Sequence, residues 1–386
     1  VDIDVLTNTE YFQYQTTTLT GGAPTVETLL QQRIITLNLD AVFSLVDSGL
    51  PIALALRESL VNAHSGGLGD VNDRIFRLWL GPNDTEPQGD KSTAENAPFG
   101  GDVRFFASGN AGFLSQNGSA ATAGLRDTRE AGTVGAELKV SPKFRIGLAA
   151  TYVHSDTDFS GGLGSQHIDG AALSLYATVR EERWFADLLY SVGLFSDTTD
   201  RNTLLGSNAR GTSGDVSHLV SLNTGWLFKV GDTFATGPYA SLTYVHGDLA
   251  GTTESGGGTA NLVRSAQSYD SLVSTVGWQA NWKLRRSWGA LKPLVHIGWE
   301  RENLSDAGAA GVTLLQSPFS FSGGSSFGSF GMNTRRESAR YDAMVAGVIL
   351  GVDLGERWSV SLRATERTDF GPRNDFSIAA SAGLRF

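Results

Sequence analysis

The chain has no cysteine, which removes disulfides, thiolate nucleophiles and cysteine metal ligands at once. Proline is scarce, with 10 in 386 residues, and charged residues make up only 18%. Long apolar runs are missing too. The greasiest stretch, AVFSLVDSGLPIALAL at 41–56, holds Asp47 and Pro51 and runs straight into Arg57 and Glu58, short of the ~18 uninterrupted apolar residues of a spanning helix. None of the six histidines has another four residues away, and no H-E-x-x-H occurs, so no metal site is expected. Basic excess is absent: 30 Lys and Arg face 40 Asp and Glu, a net charge of -10 that argues against nucleic acid as a partner. The sequence opens at Val1 with no charged-then-apolar leader, so a targeting signal or upstream domain is expected to have been removed or not included.

What is abundant points to strands. Glycine numbers 47 and phenylalanine 20, with 8 Trp, a profile of glycine-punctuated β structure. From about residue 102 onward the pattern has period two. In FRIGLAATYV, Phe144, Ile146, Leu148, Ala150 and Tyr152 alternate with Arg145, Gly147, Ala149, Thr151 and Val153. In WFADLLYSVGL the alternation is imperfect, because Phe185 and Leu189 fall on the polar side. Twelve such segments occur, near 102–113, 128–140, 143–154, 166–180, 182–196, 214–229, 233–247, 267–284, 288–302, 335–354, 356–367 and 374–386. Tight turns at 141–142, 180–181, 230–232, 285–287 and 355–356 alternate with long Gly/Ser/Asn/Asp-rich connections at 114–127, 155–165, 197–213, 248–266 and 303–334. Strict alternation of short and long connections is the signature of an up-and-down antiparallel transmembrane β-barrel with one elaborated end.

Aromatic residues are sorted to the strand ends. Phe144, Trp184, Phe234 and Trp358 sit beside tight turns and form one girdle, while Tyr152 and Tyr244 belong to the opposite one. Trp288 has the wrong parity for its strand, which predicts a bulge or a different register there. Tyr152 and Tyr244 belong to two near-identical hexapeptides, TYVHSD (151–156) and TYVHGD (243–248). Both close odd-numbered strands on the long-loop side, with Asp156 and Asp248 expected to begin the loops. That placement makes them rim features four strands apart, not two halves of one metal site. Arg104, Glu137, Lys139, Arg145, Asp187, Lys283, Glu300, Arg357, Arg363 and Arg385 fall on non-lipid parity and are expected to line the lumen, since charges on the lipid face would cost ~2–4 kcal/mol at mid-membrane.

The final strand, FSIAASAGLRF, carries Phe376, Ile378, Leu384 and a terminal Phe386 in alternation. With twelve amphipathic strands closing on that segment, residues 102–386 resemble the translocator β-domain of autotransporters, the type V secretion family. The resemblance implies that the barrel-assembly machinery reads Phe376, Ile378, Leu384 and Phe386, and that an N-terminal segment threads the pore. It also implies a surface location in a Gram-negative outer membrane, in contact with lipid and lipopolysaccharide.

Ahead of the barrel, residues 1–65 form a Thr-rich then helical segment that Pro51 divides, and 66–101 form a linker and pore helix opening at a glycine-rich joint. The polar 66–100 stretch is the expected lumen occupant, because a charged lumen suits it better than the apolar 29–60 helices. No Asn-Asn pair is present for the self-cleavage some family members perform. Asn72-Asp73 is the nearest substitute, and an Asn there is more simply a cap. GSSFG at 324–328 fits a hydrolase elbow around Ser326, but it lies in a Gly/Ser/Phe-rich loop where the required strand and helix are not expected. The sequence reading is therefore a non-enzymatic, cofactor-free barrel that exports and anchors a passenger. The alternative is a porin-like diffusion channel whose N-terminal helices lie at the periplasmic face.

Overall fold

A computed structural model describes residues 3–5, 50–69, 71, 103–118, 123–203, 206–307, 310–314, 331–334, 342–355, 357–369 and 373–385. Twelve long strands carry the fold: β1 (Val103–Gln116), β2 (Leu125–Ser141), β3 (Phe144–Phe159), β4 (Gly164–Arg180), β5 (Trp184–Asn202) and β6 (Asn208–Trp226). They continue as β7 (Phe234–Leu249), β8 (Gln267–Trp282), β9 (Gly289–Ala307), β10 (Asp342–Leu354), β11 (Trp358–Thr368) and β12 (Arg373–Arg385). Each pairs antiparallel with its neighbours in sequence, and β12 closes on β1 from Arg373↔Gln116 to Arg385↔Arg104. Every stave thus has two hydrogen-bonded neighbours, the only arrangement of strands that leaves no backbone group unpaired against lipid.

The alternation does what the sequence predicts. Along β3, Leu148 and Tyr152 are exposed while Ala149, Thr151 and Val153 are buried. Val134, Leu148, Leu194, Val276, Trp299 and Leu362 each keep more than half their surface uncovered, an outer face that only lipid can cover favourably. Gly231 and Gly355 take φ of 76° and 60° in two of the tight turns, a conformation that costs a side-chain-bearing residue about 1–2 kcal/mol. Trp288 is at the turn preceding β9 and half exposed; strand parity does not govern it.

The connections at the other end differ from expectation. β3 runs to Phe159 and β7 to Leu249, so Asp156 and Asp248 lie inside strands instead of opening loops. β5 and β6 stay paired out to Asn202↔Asn208, through most of the stretch expected as loop 197–213. Beyond the membrane the outer face becomes polar, as at Ser196, Thr198 and Asp200, so the hydrophobic alternation stops while the backbone ladder continues. Past this rim, a second antiparallel sheet is built from loop segments in the order 252–253, 262–264, 310–314, 331–334 and 3–5.

Candidate functional site: the occupied lumen

Helix α1 (Leu50–Gly67) lies inside the barrel. Its Ala- and Leu-rich sequence favours helix, and Pro51 sits in the first turn, where its missing N–H leaves no helical bond unmade. Ile52, Ala55, Leu56, Leu60 and Ala63 are buried in one apolar cluster with the inward-facing Val153, Ile168, Leu189, Phe195, Leu219 and Val245. The expected preference of the lumen for a polar helix is corrected by this packing. The upper lumen is apolar, and Leu189, which seemed to spoil the alternation of β5, is one of the residues that greet the helix. At the joint after α1, Leu68 and Val71 are also fully buried, so residues 66–69 and Val71 lie within the barrel as well. Residues 72–100, including Asn72 and Asp73, are outside the described residues, as are Ser326 and its neighbours.

The helix runs inward. Ser59 is near the extracellular end of β3, within 3.5 Å of the Thr157 hydroxyl. Further down, Arg129 Nη1 donates to the Asn62 carbonyl at 2.8 Å and Arg373 Nη2 donates to Asn62 Oδ1 at 3.1 Å. His64 meets Ser217 Oγ through Nδ1 at 2.8 Å and Ser191 Oγ through Nε2 at 3.2 Å, with Phe195 tilted against its ring. Deeper still, Asn110 Nδ2 donates to the Gly67 carbonyl at 3.4 Å. Two guanidinium groups near the helix C-terminus also complement its dipole.

Arg129 organises this end. It approaches Asp127 (3.7 Å) and Asp375 (3.8 Å), and Arg367 extends the series to Asp375 (2.9 Å) and Glu300 (2.7 Å), so alternating charges cross β2, β12, β11 and β9. A Cβ at either Gly66 or Gly112 would overlap the Arg129 guanidinium, and one at Gly67 would overlap Val153. The first glycines of the joint are close-packing positions, Gly66 and Gly67 being in the last turn of α1. Asn62, His64, Arg129 and Arg373 were not visible as site residues in the sequence: Asn62 and His64 act through a helix not expected in the lumen, Arg129 lies in a segment read only for its period, and Arg373 precedes the last alternating segment by one residue.

Of the lumen residues expected from parity, Glu137, Asp187 and Glu300 are buried in the barrel wall. Arg104, Lys139, Arg145, Lys283, Arg363 and Arg385 are partly covered on inward-facing positions, and Arg357 is exposed at a turn. Trp184, Trp358 and Tyr152 are exposed, while Phe144, Phe234 and Tyr244 are half-buried, Phe234 packing on Trp282 at 5.0 Å. Phe376 and Ile378 face outward; Phe386 lies outside the described residues.

The twin hexapeptides repeat one network twice without meeting. Asp169 of β4 accepts from Tyr152 Oη (2.6 Å) and His154 Nδ1 (2.8 Å), and Asp270 of β8 accepts from Tyr244 Oη and His246 Nδ1 (2.9 Å). Among the described residues, no three such side chains are arranged to hold a metal ion.

Above the membrane the 250–266 connection is pinned to the strand ends. Arg201 forms a two-pronged pair with Glu254 (2.9 and 2.6 Å) and donates to the Ala260 carbonyl. Arg264 lies 3.6 Å from Asp197 and donates to Ser213 Oγ, while the Ala250 N–H donates to Asp215. Burial pushes the Asp215 carboxyl up to about 6, with repulsion from Asp197 adding to it, and burial raises Asp197 as well despite Arg264.

Residues 105–365 match the family described as Autotransporter beta-domain. The fold is similar to the translocator domain of the autotransporter NalP from Neisseria meningitidis (14% identity, TM-score 0.59, 84% of this chain and 98% of that one). It is also similar to the β-domain of the Bordetella autotransporter BrkA (12% identity, TM-score 0.57, 74% and 100%) and to the transport unit of AIDA-I from Escherichia coli (13%, 0.50, 81% and 97%). No curated protein sequence matches the chain. The porin-like alternative put the apolar helices outside the lumen, and α1 lies within it. With a closed twelve-stranded barrel, a helix through its lumen and a family match over most of the barrel, the chain belongs to the autotransporter β-domain family: a non-catalytic translocator of the Gram-negative outer membrane.

Proposed function

We propose that this domain ends export in a closed state, with α1 retained as a plug that tethers whatever precedes it to the cell surface. The observation that carries this is the direction and fixation of α1: its earlier residues lie at the extracellular rim, and Asn62, His64 and Gly67 are bonded to five different staves farther in. A chain entering from outside and descending toward β1 is what a covalent anchor requires. In this reading 1–65 is the end of the passenger or its linker and 66–101 leads to the first stave. Arg104, Lys139, Arg145 and Lys283, with Glu137 and Asp187, line the lumen below the plug. Phe376, Ile378, Leu384 and Phe386 are the strand read by the barrel-assembly machinery, and the exposed girdle contacts outer-membrane lipid and lipopolysaccharide. Bilayer conductance tests the closed state. The full chain is expected to conduct poorly and a chain lacking residues 1–100 to conduct strongly; equal, high conductance would mean that α1 does not seal the pore.

A further inference from the structure

At the periplasmic end of β8 to β12, two short turns and the last strand form one continuous surface. Residues 284–291 make a hairpin, pairing Leu284↔Leu291, Arg285↔Ala290 and Arg286↔Gly289. Its tip is tied to the next turn, where the Gly355 N–H donates to the Trp288 carbonyl at 3.1 Å, and that turn to the last strand, where the Arg385 N–H donates to the Arg357 carbonyl at 3.0 Å. Gly289, at φ 146°, permits the close approach, since a Cβ there would overlap the Asp353 carbonyl. The turns are therefore held in fixed positions relative to one another.

The last lipid-facing row of this part of the wall is Leu354↔Trp358↔Leu384, with Leu354 and Trp358 exposed. Gly289 pairs with Leu354, so the exposed Trp288 adjoins the row. Just beyond it come Arg285, Arg286 and Arg357, all exposed. Among the described residues none of these three guanidinium groups pairs with a carboxylate: Arg286 Nη1 donates only to the Arg285 carbonyl, at 3.2 Å, and the neighbouring Asp353 is taken by Lys292 Nζ at 2.6 Å. Glu356 lies outside the described residues.

Indoles bordering an apolar wall mark the depth at which acyl chains give way to headgroups. Guanidinium groups at that depth match phosphate oxygens in geometry as well as charge. A zwitterionic headgroup would bring an ammonium to the same surface and lose part of that attraction. The opposite rim has the reverse sign, with Asp156, Asp169, Asp248 and Asp270 on the outward face, so the field along the wall favours an anion at the short-turn end. The surface continues the lipid-facing wall, which makes the membrane the source of its occupant.

We propose that Arg285, Arg286 and Arg357, flanked by Trp288 and Trp358, bind the headgroup of an anionic phospholipid in the periplasmic leaflet. The inference rests on the outer-membrane placement of the barrel and is independent of whether α1 seals the lumen, which the conductance experiment reads.

The test is native mass spectrometry of the full chain released from micelles containing phosphatidylglycerol, phosphatidylethanolamine or lipid A. The wild type is expected to retain phosphatidylglycerol in preference to the other two. Arg285→Gln, Arg286→Gln and Arg357→Gln are each expected to weaken that retention about fivefold, ~1 kcal/mol per cation at a membrane surface, and the three together about a hundredfold. Arg210→Gln, which removes an exposed cation from the extracellular end, is expected to leave it unchanged, and free glycerophosphoglycerol is expected not to compete. Heat-modifiable gel mobility of the same samples reports the barrel separately, through its compact band. The proposal is overturned if the triple variant keeps the compact band and still retains phosphatidylglycerol, or if the wild type holds phosphatidylethanolamine or lipid A as tightly. It is equally overturned if Arg210→Gln costs as much as the turn variants, or if the free headgroup displaces the lipid, which would make this a site for soluble anions.

Discussion

At the scale of single residues, Arg129 is the position where plug and wall depend on one group. Its guanidinium fits between Gly66 and Gly112 and serves the Asn62 carbonyl together with Asp127 and Asp375. Arg129→Met keeps much of the volume and removes the charge, leaving a helix carbonyl and two carboxylates without that partner. Breaking a buried pair on one side costs ~3–5 kcal/mol. Guanidinium unfolding should show that loss, and the bilayer current should rise; an unchanged midpoint would mean that Arg129 is bypassed by Arg373. Asp215 is the opposite case, a carboxyl on the extracellular extension of β6 that burial makes harder to ionise, with its value raised to about 6. Between the ordinary carboxylate value and about 6 the folded protein holds a proton that the unfolded chain has released, so stability at this corner falls as pH rises through that window. Asp215→Asn can still accept from the Ala250 N–H. It should flatten the pH dependence of unfolding across the window and protect residues 250–266 from protease at neutral pH; a slope equal to that of the wild type would assign the effect to another group.

At the scale of elements, the barrel was legible and its contents were not. Lipid on one side and a lumen on the other impose period two wherever a strand crosses the membrane, so each of the twelve segments read from alternation overlaps a stave, residues 335–341 of the tenth lying outside the described residues. Once a strand leaves the membrane that rule lapses, and β3, β5 and β6 run to Phe159, Asn202 and Asn208, well past the pattern, while β4 and β7 pass it only slightly. The helix was misplaced for a related reason. Leu189 and Val153 interrupt a polar inner face, yet only the folded barrel shows that such interruptions from separate strands meet in one apolar chamber around α1. Leu60 measures how much that chamber matters, being 1% exposed in its centre. Leu60→Ala should weaken plug docking by ~2–5 kcal/mol. Leu60→Asp, which strands a carboxylate among Leu and Phe side chains, should raise conductance toward that of the chain lacking residues 1–100 while the compact gel band persists. If Leu60→Asp stayed closed, the seal would have to be polar.

At the scale of the whole molecule, the absence of cysteine becomes an instrument. A Cβ on Gly67 would lie 3.6 Å from the Cβ of Val153, within the ~3.5–4.5 Å range that a disulfide spans. Replacing both, Gly67→Cys with Val153→Cys, also removes the valine methyl that would otherwise crowd the new side chain. The oxidised double variant would carry a single cross-link from the end of α1 to the wall at β3, closing a loop whose tie is worth about 4.6 kcal/mol against the unfolded chain in the chain-entropy picture. Non-reducing gels of the heat-denatured protein should show a band of altered mobility that dithiothreitol abolishes, and the oxidised protein should keep a low conductance even when Leu60→Asp is added. That combination separates two ways of sealing a barrel. If the bond forms and Leu60→Asp no longer opens the pore, the plug closes the lumen by position, and its apolar packing serves to bring it there. If the bond forms and the pore still opens, the seal is the packing itself, and a tethered but unpacked helix leaves a path for ions. Failure of the bond to form in folded protein would place α1 away from β3 and remove the anchor from the lumen altogether.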